Sequence, residues 1–347
     1  MRIERVDDPG AEWDEFVAAT PGATLAHAAA WPRVFRDAYG LESLCLAARD
    51  AGGRLAGVLP MVRFHSISGA RELVSMPFHD TGGVLASDAG AEAALLDAAR
   101  SLASEAGIAA IELRQAAPLR TAPAAPVADR VDLVLPLPGD AETLWKGLPA
   151  KVRNQTRKAE REGLSLAPAL PASELVQSFY APFAVNMRDL GSPVHGIGFF
   201  RAITSHFGPR ARVVVVRDGA RPVGGLVAIH YAGVVTVPWA STLRNERSRC
   251  PNNLQYWEAL RFAVAVGAHG FDFGRSAPGS GTHRFKKGWG AEERPLYWLR
   301  LDSGSGSVGA GNSVRSRLLE RLSAAWRLLP VAVTVRLGPR IRRRLSQ

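Results

Sequence analysis

The sequence has little that could crosslink the chain, ligate a metal or cross a membrane. Only two cysteines occur among its 347 residues, Cys45 and Cys250, and no CxxC or Cys/His spacing accompanies them. We therefore expect neither a disulfide framework nor a zinc site, and a reducing compartment suits the chain. No run approaches the roughly 18 apolar residues of a membrane span, and the opening MRIERVDDPG lacks the apolar stretch of a signal peptide. The sequence predicts a cytoplasmic protein.

Familiar cofactor motifs are also missing. The sequence contains no glycine-rich nucleotide loop, no metal-ligand cluster and no GxSxG nucleophile elbow. We therefore predict no permanently bound cofactor or metal.

Positive charge is concentrated at one end of the chain. Residues 303–347 carry nine arginines and one glutamate, a net +8 of the chain's formal +11. The body is close to neutral, so its isoelectric point does not indicate a nucleic-acid-binding body. The tail begins with the Gly/Ser spacer SGSGSVGAGN and continues as a predicted basic amphipathic helix.

The length and the 47% hydrophobic content suit two cores rather than one. Alternating strand and helix patterns predict an α/β (α+β) protein with two tandem domains around mixed central sheets. The Ala/Pro-rich stretch 115–129 reads as their connection. We place the domains at residues 1–128 and 129–302, followed by the tail at 303–347.

Two short patterns recur in the same order in both halves. Arg49-Asp50 is followed by a strand pattern that contains glycine. Arg217-Asp218 is followed by a similar strand pattern after the same number of residues. Later, Ile111-Glu112-Leu113-Arg114 resembles Phe271-Asp272-Phe273-Gly274-Arg275, each after a helical pattern. Single repeats of this kind can arise by chance, but two in one order favour duplication.

The segment Phe271–Trp298, FDFGRSAPGSGTHRFKKGWGAEERPLYW, has the most unusual composition. Its basic and aromatic loop sets Lys286 and Lys287 beside Phe285 and Trp289. Fixed positive charge next to flat apolar surface suits a bulky anionic substrate. The alternative is a surface turn whose lysines are merely solvated.

These motifs resemble those of the FemAB-related transferases. The resemblance rests on GRS, SGT and FKKGWG, on NMRDLGSP at 186–193, and on VPWAS and PNNLQYW within 237–257. The resemblance covers about residues 13–298. It is closest to the subgroup associated with exosortase and exopolysaccharide loci. It implies tandem GNAT-like domains that transfer an acyl or aminoacyl group.

The resemblance also implies site residues. Lys286 would stabilise charge on the transferring ester or its leaving group, with Phe285 as a wall and Lys287 as a phosphate contact. Further substrate-binding residues, matched to family motifs, are Trp289, Trp239, Asn252 and Tyr256. Asn252 could instead cap its helix.

Three more groups are candidates from their chemistry. Asp272, Arg275 and Ser276 follow a strand, where an Asp–Arg pair either contacts substrate or fixes the loop. Arg153 and Arg157 would share one helix face, which is either solvated or, as the resemblance implies, near a phosphate-bearing substrate. Asp80 could orient or deprotonate an amine, or stabilise a turn.

The acyl donor is open. Acetyl-CoA enzymes of the GNAT type cradle the pyrophosphate with a glycine-containing turn at a helix start, whereas Leu243–Asn253 here contains no glycine. Ordinary acetyl-CoA binding is therefore not expected. The resemblance implies aminoacyl-tRNA or another acyl donor, such as an acyl-CoA, as co-substrate. The acceptor would be an anionic envelope or polysaccharide precursor.

The basic tail has two candidate partners, an anionic membrane surface through residues 313–347 or tRNA phosphates. We favour the membrane, with the protein peripheral at its inner face. Two other functions stay open, an acyl-CoA-dependent GNAT N-acyltransferase and a non-catalytic membrane-associated adaptor.

Overall fold

The structure is a computed structural model that describes residues 1–67, 69–121, 125–127, 129–302 and 321–346. Its described strands are β1 Arg2–Val6, β2 Ser43–Arg49, β3 Leu55–His65, β4 Arg71–Ser75, β5 Leu85–Ala86, β6 Ala110–Gln115, β7 Val131–Pro136, β8 Leu164–Leu166, β9 Ala211–Asp218, β10 Arg221–Tyr231, β11 Val234–Thr242, β12 Gly270–Asp272, β13 Glu292–Pro295 and β14 Tyr297–Asp302. Its described helices are α1 Ala11–Ala19, α2 Trp31–Tyr39, α3 Ala89–Glu105, α4 Ala141–Gly147, α5 Ala150–Arg161, α6 Ala172–Asp189, α7 Ile197–Phe207, α8 Pro251–Ala265, α9 Gly281–Lys287 and α10 Val331–Arg342.

The strands form two mixed sheets of seven strands each. The first sheet has the order β1-β2-β3-β4-β6-β14, with β5 added to β3, and the second has the order β13-β7-β12-β11-β10-β9-β8. This confirms the predicted α/β class with two mixed central sheets.

Local turn and cap chemistry explains several of the element boundaries. In the β2–β3 turn, Asp50 Oδ1 accepts the Arg54 N–H at 3.0 Å, and Gly53 adopts φ 81°, which favours glycine. Helix α3 begins where Asp88 Oδ1 accepts the Ala91 N–H at 2.9 Å, which satisfies one of its free donors.

The two sheets repeat one arrangement. In the first sheet β4 pairs in parallel with β6 and α3 lies between them in the chain; in the second, β11 pairs in parallel with β12 across α8. A parallel pair needs such a crossover connection. The echoing sequences of the two halves thus occupy equivalent positions, at β6 and at β12.

One strand crosses between the halves. β14 closes the range predicted for the second domain, yet it pairs antiparallel with β6 of the first sheet, with Leu299 opposite Leu113. The domain ranges stay a prediction, but the last strand of 129–302 adds to the sheet of 1–128.

A shared core lies between the two sheets. One apolar cluster contains Trp31 and Phe35 of α2 together with Phe199 and Phe200 of α7 and Trp239 of β11. Trp31 and Phe207 have ring centroids 4.9 Å apart. The two halves are therefore packed against each other through buried aromatic side chains.

The C-terminal segment lies on this body. The predicted spacer and residues 313–320 of the predicted helix lie outside the described residues; residues 321–327 are helical, and α10 packs against α6. Thr334 and Gly338 are buried there, and the Phe78 N–H donates to the Ser346 carbonyl at 2.8 Å. Within the part that the structure describes, no helix has the length and hydropathy needed to cross a membrane.

Gly338 tests how tightly α10 is seated. A Cβ at this position would lie 2.9 Å from Val194 Cγ1 and 3.0 Å from its carbonyl oxygen. Gly338→Ala should therefore lower the free energy of unfolding by about 1–3 kcal/mol, because an overpacked backbone contact outweighs the gain in helix propensity. Urea denaturation measures this.

Gly198 in α7 is the matched control, since a Cβ there would meet open space. Gly198→Ala should be neutral or stabilising by up to about 1 kcal/mol. Equal effects of the two substitutions would show that α10 is not packed as described.

Candidate active site

A cavity of about 290 Å³ opens between the two sheets. Its wall combines residues 78–81 after β4, residues 236–240 of β11 and residues 272–275 after β12, together with Lys286 and Arg342. Both halves and the C-terminal segment therefore contribute to one site. This is a common position for a ligand pocket.

The loop after β12 is shaped by its own backbone. Gly274 adopts φ 74°, and its N–H donates to Asp272 Oδ1 at 2.6 Å. An L side chain at position 274 would be strained, and its Cβ would lie 3.4 Å from Asp80 Oδ2. This tight turn directs the carbonyls of Gly274 and Arg275 toward Lys286.

Lys286 comes from a helix rather than from the predicted loop. Residues 281–287 form α9, which begins where the Ser280 hydroxyl accepts the His283 N–H at 3.2 Å. The prediction of a loop was wrong because Ser280 is an N-cap, a signal that the glycines around it obscured. Lys286 Nζ donates to the carbonyls of Gly274 and Arg275, each at 2.8 Å.

The Lys286 ammonium is buried but electrostatically supported. The residue is 8% exposed, and burial lowers the pKa of Lys286 below its ordinary value. The carboxyl groups of Asp80, Asp132 and Asp272 oppose that effect. A buried cation needs such compensation, so these carboxyl groups help to keep Lys286 charged.

Asp80 and Arg275 join the two halves across the cavity. Arg275 Nε lies 2.9 Å from Asp80 Oδ1, and the Arg275 N–H donates to Asp80 Oδ2 at 3.1 Å. Trp298 of β14 donates to the Asp80 carbonyl at 3.0 Å. The guanidinium groups of Arg114 and Arg275 lie over the Trp298 ring, 4.6 and 5.3 Å from its centre.

Asp272 and Asp132 form a buried carboxyl pair. Burial chiefly, with a neighbouring carboxylate, raises the pKa of Asp132 well above its ordinary value, and burial raises the pKa of Asp272 as well. Two adjacent buried carboxyl groups cannot both ionise easily, so the pair favours holding one proton between them. Asp272 lines the cavity, with Asp132 behind it on β7.

Two further arginines were not predicted. Arg114 Nη2 pairs with Glu112 at 2.6 Å, and its Nη1 donates to the carbonyls of Met76 and His79. Arg342, at the end of α10, donates from Nε to His195 Nε2 at 3.1 Å. The cavity therefore has four cationic side chains in its wall, counting Lys286 and Arg275.

The structure brings Asp80, Asp272, Arg275, Lys286 and Trp239 together in the cavity wall. Other predicted residues lie behind it. Phe285, Trp289 and Tyr256 pack together in the core of the second half, where Tyr256 and Phe285 have ring centroids 5.4 Å apart. They support the helix that carries Lys286 instead of lining the cavity.

The remaining predicted residues also lie away from the cavity wall. Lys287 is 45% exposed at its side chain and lies 3.4 Å from Glu293. Ser276 is buried, with its backbone paired to Val131 and no hydrogen-bond partner for its hydroxyl in the described part of the chain.

The predicted residues of α5 and α8 also lie away from the cavity wall. Arg153 and Arg157 lie on α5, which packs against α8, and Arg157 lies over the ring of Trp145. Asn252 lies inside the first turn of α8, whose N-cap is Cys250, and its Oδ1 accepts from Gln255 and Thr242. It is therefore not the capping residue.

Some of the unpredicted residues had a signal in the sequence. Asp132 is a lone carboxylate in the apolar run VDLVL, and a charged residue there indicates a buried, functional or paired group. Arg114 stands in the pattern that echoes 271–275. Nothing distinguishes Arg342 from its neighbours in RIRRR, and only the docking of α10 reveals its position.

Sequence comparison assigns part of this region. Residues 149–287 match the acetyltransferase (GNAT) domain family, a range that includes Asp272, Arg275 and Lys286. No curated protein shows significant similarity to the sequence.

Solved structures resemble the chain over most of its length. FemX matches with a TM-score of 0.66 and 14% identity, covering 86% of this chain and 98% of that chain. A tandem GNAT protein from the clavulanic acid biosynthesis pathway matches with a TM-score of 0.54 and 14% identity, covering 88% of this chain and 100% of that chain. The C-terminal domain of a putative lysylphosphatidylglycerol synthetase from Agrobacterium fabrum matches with a TM-score of 0.50 and 11% identity. The match covers 80% of this chain and 87% of that chain.

At these identities the similarity concerns the fold. The chain has a FemX-like tandem GNAT fold, as the sequence predicted, and the acetyltransferase domain match in its second half supports the prediction of an acyltransferase.

Proposed function

We propose that the cavity is the active site of a FemAB-like acyl or aminoacyl transferase. The acceptor is an amine, or a hydroxyl, of an anionic cell-envelope or exopolysaccharide precursor. The observation that carries this proposal is the Lys286 ammonium, held in the cavity wall by two backbone carbonyls at 2.8 Å.

An ammonium group has three N–H donors, and the two carbonyl contacts leave one for a ligand. In acyl transfer, negative charge develops on the ester carbonyl oxygen and then on the leaving oxygen. A fixed cation in a site of low dielectric stabilises such charge strongly. Lys286 would therefore act as the electrostatic catalyst.

Asp272 is the carboxylate best suited to accept the proton of the acceptor amine. Its raised pKa makes it a stronger base than a solvated aspartate, and it lies in the cavity wall. As nitrogen bonds to the carbonyl carbon, its proton passes to Asp272. The carbon–oxygen bond to the donor then breaks, and the leaving oxygen takes up that proton.

Asp80 was predicted as a catalytic group, but both its oxygens are bonded to Arg275. A carboxylate whose two oxygens are both engaged by Arg275 is not free to take a proton from an amine. We infer that Asp80 positions Arg275 and the loop whose carbonyls hold Lys286.

The start of α8 supports a donor other than acetyl-CoA. A short 3-10 helix, Arg244–Arg249, leads into Pro251, which has no N–H to offer a phosphate. Just before it, Glu246 is buried and paired with Arg221 at 2.6 Å. A helix start with a missing donor and a nearby buried acid is poorly suited to a pyrophosphate, so we favour aminoacyl-tRNA.

The exposed face of the tail supports attachment to a membrane. Leu322, Leu328 and Leu337 are 57%, 86% and 39% exposed, and arginines flank them. Arginines alone would suit RNA as well, but leucines exposed beside them suit the boundary between lipid headgroups and acyl chains. A lipid-linked acceptor would be reached from this position.

The catalytic proposal is tested with Lys286→Met. Full-length protein is incubated with radiolabelled bulk aminoacyl-tRNA and extracted lipid-linked envelope precursors, and label transfer is counted. The variant should transfer at a rate lowered about 10²–10³-fold, because one charge-stabilising donor is lost. Thermal unfolding checks that the fold is kept.

Lys287→Met removes the neighbouring, exposed lysine and should leave the rate unchanged. If both variants lost activity equally, general surface charge and not the buried ammonium would be responsible. Unimpaired transfer by Lys286→Met would refute its catalytic role.

The carboxyl pair predicts a pH dependence of stability. Because the pKa of Asp132 is raised in the folded state, its contribution to stability is full below its ordinary pKa and is lost as pH rises through the folded value. An asparagine at this position would keep a neutral hydrogen-bond donor at every pH. In urea denaturation, the free energy of unfolding of Asp132→Asn should therefore rise relative to that of wild type as pH rises from the ordinary pKa range of aspartate.

Asp129→Asn provides a control of opposite sign. A hydrogen bond from Arg130 lowers the pKa of Asp129, so its contribution to stability is lost as pH falls, not as it rises. If the free energies of unfolding of Asp132→Asn and wild type changed equally as pH rose, the carboxyl pair would not hold a proton as described.

Membrane attachment is tested by co-sedimentation with phosphatidylglycerol vesicles. Leu328→Glu should weaken binding about tenfold or more, because a buried leucine contributes about 1.5–3 kcal/mol to such partitioning. Ile67→Glu changes another exposed apolar residue, 54% exposed, on the β3–β4 turn and should have no effect. Binding to RNA but not to vesicles would contradict this proposal.

A further inference from the structure

Within the described part of the chain, the Arg342 guanidinium has no acidic partner, unlike the other two guanidinium groups in the cavity. Arg114 pairs with Glu112 and Arg275 pairs with Asp80. Among the described residues, no carboxylate lies within ion-pair distance of Arg342. Its bonded neighbour is an uncharged imidazole.

That imidazole is His195, which is buried and has a pKa well below its ordinary value, chiefly because of burial. Its Nδ1 lies 2.6 Å from the Tyr39 hydroxyl, and its Nε2 accepts from Arg342 Nε at 3.1 Å. The accepting Nε2 leaves the proton on Nδ1, so His195 is neutral and donates to Tyr39. It orients Arg342 without neutralising it.

The other contacts of Arg342 also orient it. Its guanidinium lies 5.2 Å from the ring centre of Phe78, and the Phe78 N–H is bonded to the Ser346 carbonyl. Burial lowers the pKa of Arg342 to about 10, so it stays protonated at neutral pH. Nε is occupied by His195, whereas the two terminal nitrogens can face the cavity.

A cation held in a cavity wall without a counter-charge is costly for the fold alone. The same arrangement is favourable when an oxyanion binds, because the two terminal nitrogens can hold a carboxylate or phosphate with two parallel bonds. Arg275 and Lys286 add positive potential in the same cavity.

We propose that Arg342 is the anion-binding residue of this cavity and holds an oxyanion, a carboxylate or a phosphate group of the substrate. The C-terminal segment thus completes the binding site in addition to any contact it makes with a membrane. This inference deepens the proposed function and rests on it for the identity of the substrate, but anion binding can be measured without turnover.

The experiment measures binding of inorganic phosphate and, separately, of acetate to the full-length protein by isothermal titration calorimetry at low salt. Wild type should bind at least one of the two anions, and the anion bound indicates which group the substrate carries. Arg342→Gln should weaken that binding at least about tenfold, since a charge-assisted pair of hydrogen bonds is lost. Arg342→Lys should restore part of it as a point charge.

Arg343→Gln removes the same charge from the exposed next position and should bind the anion like wild type. A second measurement separates binding from a structural role. Without anion, Arg342→Gln should unfold at the same temperature as wild type or a higher one, because a partly buried charge without an acidic partner among the described residues is removed.

Three outcomes would overturn the proposal. They are wild-type protein that binds neither anion, Arg342→Gln that binds like wild type, and equal losses in Arg342→Gln and Arg343→Gln. A lowered unfolding temperature of Arg342→Gln with unchanged binding would show a structural role instead. If anion binding followed the prediction while Lys286→Met left transfer intact, the anion site would stand and the transferase assignment of Lys286 would fall.

Discussion

The free-energy cost of burying charge determines how the centre of this protein is built. Lys286 and three arginines share one cavity wall, and three of these four cations contact groups that make their charge tolerable. Backbone carbonyls hold Lys286, while Glu112 and Asp80 hold Arg114 and Arg275. A cation in such surroundings is costly for the fold unless carboxylates or backbone carbonyls hold it. Arg342 is the exception, and it is therefore the most informative of the four.

This arrangement requires both halves of the chain. Asp80 comes from the first half and Arg275 from the second, and Trp298 fixes the Asp80 carbonyl from a strand that has returned to the first sheet. Displacement of either half would separate the ion pair and leave two partly buried charges unpaired. The junction of the two halves is thus held by the same contacts that shape the cavity.

Much of the fold could be predicted from sequence because hairpins and amphipathic helices leave local signals. Glycine-containing turns and apolar runs predict three strands at residues 211–217, 221–230 and 234–241, which end within one residue of β9, β10 and β11. Helix α9 was missed because seven residues are too few to show a helical period. Lys286 could be named from a resemblance and Arg275 from its place after a strand. The position of Arg342 depends on the docking of a distant helix, which no local pattern encodes.

The return of β14 to the first sheet also affects how the chain folds as it is synthesised. Until residues 297–302 emerge from the ribosome, β6 has an unpaired edge, and such edges are prone to pair with other chains. Nearly the whole polypeptide must therefore be made before the first sheet is complete, which raises contact order and slows folding. Expression of the first half alone would leave that edge open, so aggregation of truncated or prematurely terminated chains is an expected consequence of this topology.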